Sequence, residues 1–111
     1  MNKEDAINRA AELSKEYGTV TSITINVNDE QVSGFFKEPS YDVLLYINDC
    51  ILDKQLTKGA EAIVKNCLIP EESDPRIIDT QNNPRIAASF VIAATKLAKL
   101  YTGDMGEIKK N

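Results

Sequence analysis

Apolar and polar positions alternate along this chain with two different periods. Over residues 4–16, Ala6, Ile7, Ala10, Ala11 and Leu13 recur at helical spacing between Glu4, Arg9, Glu12 and Lys15, which predicts an amphipathic helix. Asn2 stands where an N-cap belongs, and Gly18 supplies the stop. The stripe is rich in Ala and therefore shallow, so residues 1–18 are expected to dock loosely or to await a partner. The period then falls to two. Ser22–Val27 alternates and is rich in β-branched residues, and a second strand is predicted over Gln31–Lys37 with Val32, Phe35 and Phe36 as its apolar members. Asn28-Asp29-Glu30 supplies the turn. Gly34 inside the second strand marks a bulge or a close backbone approach.

Beyond Pro39 the period is helical again. Ser40 is placed to cap a helix over Tyr41–Asp53 that is apolar on more than one side, with Tyr41, Leu45, Tyr46, Ile47, Cys50 and Ile51 among its members. Thr57 is placed to cap a further helix ending at Cys67, where Ala60, Ile63, Val64, Cys67 and Leu68 fit the i, i+3, i+4, i+7, i+8 pattern in full. Pro70–Asn83 reads as an acidic loop with a short turn at Pro75–Ile78. Asn83-Pro84 then starts a last helix running to about Tyr101, with Ile86, Phe90, Ala93, Leu97 and Leu100 on one stripe. Residues 102–111 are expected to be a flexible tail. The pattern predicts an α+β fold: one domain over 1–111, in which a mostly helical bundle of about four helices carries a small antiparallel hairpin at 19–37 and continues through the helical part at 40–101.

Composition narrows the function. The 111 residues are 42% hydrophobic and 27% charged, with no Trp, so one aliphatic core is expected. The net charge is −4, which speaks against nucleic acid as a partner. Residues 1–18 carry charge throughout and lack the apolar run of a signal peptide, and Ile86–Leu100 is too short and polar for a bilayer. A cytoplasmic protein is expected, with no membrane partner.

Catalytic chemistry finds little to work with. There is no histidine, the commonest general base and metal ligand. Cys50 and Cys67 fall late in their helices, where the dipole opposes a thiolate; free thiols are expected. Asp49 and Asp53 lie one helical turn apart, a spacing typical of a solvated face. Glu71-Glu72-Ser73-Asp74 lacks the alternating ligands of a calcium loop, and the glycines form no phosphate-binding pattern. No enzyme activity, cofactor or metal is expected. The remaining signal is apolar surface. Phe35 and Phe36 are adjacent in a strand and point to opposite faces, so one should be outside unless both faces are covered. Tyr41, Leu45 and Tyr46 surround a helix that is apolar on two sides. Either the N-terminal helix covers them, or these five residues offer a surface for a protein partner or for self-association.

The middle of the chain, from "GFFKEPSYDVLLYINDCI" through "KGAEAIVKNCLIPEESDPRI" to an Ala-rich helix and a "GEIKKN" end, resembles the small tail assembly chaperones of tailed phages and prophages. Phe36, Pro39, Ser40, Ala60, Glu61, Ile63, Val64, Asn66, Cys67 and Glu107–Lys110 carry the resemblance, which spans roughly residues 32–110. It implies a non-catalytic protein of the bacterial host cytoplasm that coats a hydrophobic, helical tape measure protein before tail polymerisation. It names no binding residue. A head–tail connector or minor tail component is the alternative.

Overall fold

The computed structural model describes residues 1–103. It contains α1 (Lys3–Tyr17), β1 (Val20–Val27), β2 (Glu30–Lys37), α2 (Tyr41–Leu52), α3 (Leu56–Cys67), a 3₁₀ turn (Pro75–Ile78) and α4 (Pro84–Gly103). The fold is α+β: four helices around one antiparallel hairpin. Of the tail expected over 102–111, residues 102 and 103 instead complete the last turn of α4, and residues 104–111 lie outside the described residues.

Local chemistry accounts for most boundaries. The Asn2 side chain accepts from the Asp5 N–H at 2.8 Å, and Glu4 and Asp5 complement the dipole of α1. Ser40 caps α2 by accepting from Val43 N–H at 3.4 Å. Asn28 and Asp29 both take positive φ (52° and 63°) between the paired residues Val27 and Glu30, as a two-residue type I′ loop demands of its central residues. Some boundaries differ from expectation: β1 already begins at Val20, and Glu30, expected in the turn, opens β2 by pairing with Val27. Thr57 does not cap α3: the helix begins a residue earlier, at Leu56, and Gln55 in the cap position makes no side-chain bond. The reason is the tight exit from α2. Lys54 takes φ 60°, its N–H donates to Ile51 O, and Gln55 N–H donates to Cys50 O at 2.7 Å. This Schellman closure leaves no slack before α3.

The hairpin is a middle layer, and both its faces are covered. On one side Val32 and Phe36 join Ile47, Ile63, Ile77 and Phe90 in the main core. The Phe36 and Phe90 ring centroids are 6.5 Å apart. On the other side Phe35 and Val20 pack with Ala6, Ala10, Leu13 and Ile69. So α1 is docked on the hairpin, and its shallow stripe suffices because small side chains let the helix approach the large Phe35 ring closely. Ile7, expected in that stripe, is exposed, as is Leu100 of α4; Ala94, Leu97 and Ala98 take the buried positions near that end.

Gly34 is a close approach and not a bulge, since the β1–β2 register runs unbroken from Val20–Lys37 to Val27–Glu30. A Cβ there would sit 2.8 Å from Ile77 Cδ1 and 3.1 Å from Phe90 Cε1. Gly34→Ala is therefore expected to cost about 1–3 kcal/mol through overpacking, read as a lower denaturation midpoint with an unchanged m-value.

The acidic loop is a clasp. Arg9 of α1 donates to Glu72 at 2.8 and 3.0 Å. Ser73 Oγ accepts from Phe35 N–H at 3.0 Å, and Asp74 N–H donates to Ser33 O at 3.2 Å. Arg76 binds both Asp74 and Glu30 at the hairpin end. Hydrogen bonds from its guanidinium hold both carboxyls below their ordinary range. A lowered folded-state value contributes stability above the unfolded carboxyl pKa of about 4, lost as pH falls through the folded values. Arg76→Ala is expected to lower Tm at neutral pH, with the gap to the parent protein closing in acid; melts across a pH series check this.

Candidate interaction groove

Helices α2, α3 and α4 pack on one another so that their outer surfaces do not close. Between the first half of α2, the solvent side of α3, the 3₁₀ turn and the first half of α4 runs an open groove of about 1240 Å³. Its α2 wall is Asp42, Val43 and Tyr46, its floor includes Glu61, Ala62 and Lys65 of α3, and its far wall includes Ile77, Ile78, Ala88 and Ile92. The floor follows from the helical period of α3. Ile63 and Cys67 turn inward, while Glu61 and Lys65 share the opposite side four residues apart. Ile78 and Ile92 stand 56% and 68% exposed, a degree of exposure that burial of a large aliphatic side chain would relieve at about 25 cal/mol per Å².

The five residues named from sequence separate into three places. Phe35 (1% exposed) and Phe36 (0%) are both buried, on opposite faces of the hairpin, so neither belongs to an open surface. The physical reason is that α1 covers the face that would otherwise hold an exposed Phe35. Tyr46 lines the groove. Its pKa is raised, chiefly by its interaction with the Cys50 thiol one turn away, then by burial. Tyr41 and Leu45 are exposed but lie on a different stripe of α2, together with Leu52 at i+11 from Tyr41. Because α1 sits on the hairpin, it leaves all three exposed. Groove residues not singled out as surface from the sequence include Val43, which belongs to the apolar positions expected in α2, and Ile78 and Ile92. Ile92 carried a readable signal, an isoleucine two positions off the Phe90 stripe; Ile78 did not, since the single 3₁₀ turn that ends on it is too short to show an apolar period.

Chemically the groove is a binding surface with mixed charges at its floor. Among the described residues no group of three or more His, Cys, Asp or Glu could hold a metal ion. Cys50 and Cys67 are buried free thiols, and burial pushes the Cys67 thiol up to about 11, which keeps it protonated and unreactive at neutral pH. No helix among the described residues is long and apolar enough to cross a membrane. Comparison with known families, curated proteins and solved structures finds no match for this chain.

Proposed function

We propose that this chain is a non-catalytic tail assembly chaperone that shelters an apolar helical segment of a tape measure protein in the groove between α2, α3 and α4. The observation that carries the reading is the placement of exposed Ile78 and Ile92 on one wall with Tyr46 on the other. A helix lays an i, i+3, i+4, i+7 apolar face into such a groove. The resemblance over residues 32–110 supports the phage context and the identity of the client. The groove supports the chemistry of the occupant.

Co-expression with the tape measure protein tests it. The client is expected to stay soluble and to co-purify with this chain. Ile92→Asp is expected to weaken the complex by about 2 kcal/mol or more, roughly thirtyfold in Kd, while leaving Tm nearly unchanged because the site is exposed. A client that stays insoluble with nothing co-purifying sinks the reading. Recovery of the chain from finished virions would instead favour the connector or minor tail role.

A further inference from the structure

Among the described residues, the outer edge of β1 presents a regular row of backbone groups that have no protein partner. In an antiparallel hairpin closed by a two-residue loop, the residues flanking the loop bond to each other, and the pattern alternates away from it. Val27 and Glu30 flank the loop, so Thr21, Ile23, Ile25 and Val27 turn their N–H and C=O groups toward β2. Ser22, Thr24 and Asn26 turn theirs outward. The far edge of β2 obeys the same rule: Ser33 and Phe35 turn outward there, and both are bonded. Ser33 O accepts from Asp74 N–H at 3.2 Å, and Phe35 O accepts from Ile69 N–H at 2.8 Å. The segment after α3 thus closes the β2 edge. Among the described residues, only Val20 of β1 finds an outward partner, its N–H donating to Ser14 Oγ at 3.0 Å. Among the described residues no protein group bonds the outward backbone groups of Ser22, Thr24 or Asn26.

Exposed edges are normally blunted by a charge, a proline or a bulge. The 8-residue VTSITINV strand has none of these. We infer that β1 is a self-association edge, to which a second copy of this chain adds its own β1 antiparallel about a two-fold axis at Thr24. In that register Thr24 faces Thr24, Ser22 faces Asn26, and Ile23 faces Ile25. Every outward donor meets an acceptor, polar faces polar, and the isoleucines extend the apolar face already packed on the main core. A second copy is the occupant that this strand fits without adjustment. A copy of a chain with net charge −4 is repelled over much of its surface, yet meets no like charge along β1. The edge is independent of the groove, and either can hold without the other.

The full chain is followed over a concentration series by sedimentation and by amide hydrogen exchange. Formation of a dimer is expected, with exchange at Ser22, Thr24 and Asn26 slowing about tenfold or more as the dimer forms. Thr24→Pro removes an outward donor that the hairpin does not use, a substitution edge strands tolerate, and is expected to give a monomer that melts cooperatively. The double variant Ser22→Lys with Asn26→Lys keeps all backbone donors but sets like charges opposite each other; it is expected to be monomeric as well. Three results would overturn the inference: a monomer at every concentration with fast exchange at these amides; a dimer in which they stay unprotected; or protection independent of concentration, meaning that the edge is closed within one chain.

Discussion

Phe36→Ala is expected to destabilise the protein by about 3–5 kcal/mol, the usual cost of deleting a buried aromatic ring, and so to remove a large part of a typical domain's 5–15 kcal/mol. Phe36 is fully buried where the hairpin meets the helices. Its ring packs 6.5 Å from that of Phe90, and its backbone bridges to Leu68 at the end of α3. A cavity there lies among β2, α3 and α4 together, and Gly34 beside it leaves no side chain that could swing in to fill the space. Loss should be global. Near- and far-ultraviolet circular dichroism should fall together at a lowered denaturant midpoint. A drop under about 1 kcal/mol would mean that the core collapses around the gap and that the hairpin–helix interface is looser than the close packing around Phe36 implies.

Phe35→Ala, one residue away, removes the same ring and should behave differently. Phe35 belongs to the smaller cluster under α1, with Ala6, Ala10, Leu13, Val20 and Ile69. It is the largest side chain in that cluster, and the alanines of α1 have no length with which to compensate. The local cost is again about 3–5 kcal/mol, but it falls on an interface whose polar links among the described residues include the half-exposed Arg9–Glu72 ion pair and the hydrogen bond from Val20 N–H to Ser14 Oγ, which together contribute little beside the lost ring. The expected result is release of α1 before the rest unfolds. Amide exchange in Lys3–Tyr17 should approach that of a free helix, while α3 and α4 keep their protection. The released face would expose Val20 and Ile69, so increased aggregation on warming is part of the expectation. If α1 and α4 lose protection together, the two clusters form one cooperative unit.

These two variants mark where reading the chain by period succeeds and where it stops. The helices and strands were legible because each depends on neighbours within a few residues: the full heptad-like pattern of α3, the alternation in Ser22–Val27, the Asn2 and Ser40 caps, and the proline at the start of α4. The turn at Asn28-Asp29 was legible for the same reason, although Glu30, expected in the turn, opens β2 as the partner of Val27. Thr57 misled because a cap preference is local, whereas the α2–α3 junction was decided by the Lys54 turn before it. Of the five surface residues named from the sequence, Tyr46 alone lines the candidate site. Ile78 and Ile92 belong to segments whose approach to α2 no window of adjacent residues encodes.

The sequence alone determined the element order, the α+β class and the position of the hairpin, since backbone hydrogen bonding and amphipathic period are properties of contiguous residues. Tertiary structure decided the rest. It placed α1 on the hairpin and so buried Phe35, turned Glu72, Ser73 and Asp74 from part of an acidic loop into a clasp, closed one edge of the hairpin while, among the described residues, leaving the other open, and set Tyr46 across a groove from Ile78 and Ile92. Each of these is a contact between segments far apart in the chain. Its free energy comes from which surfaces meet, and a local pattern of apolar and polar positions states only that a surface exists, not what will cover it.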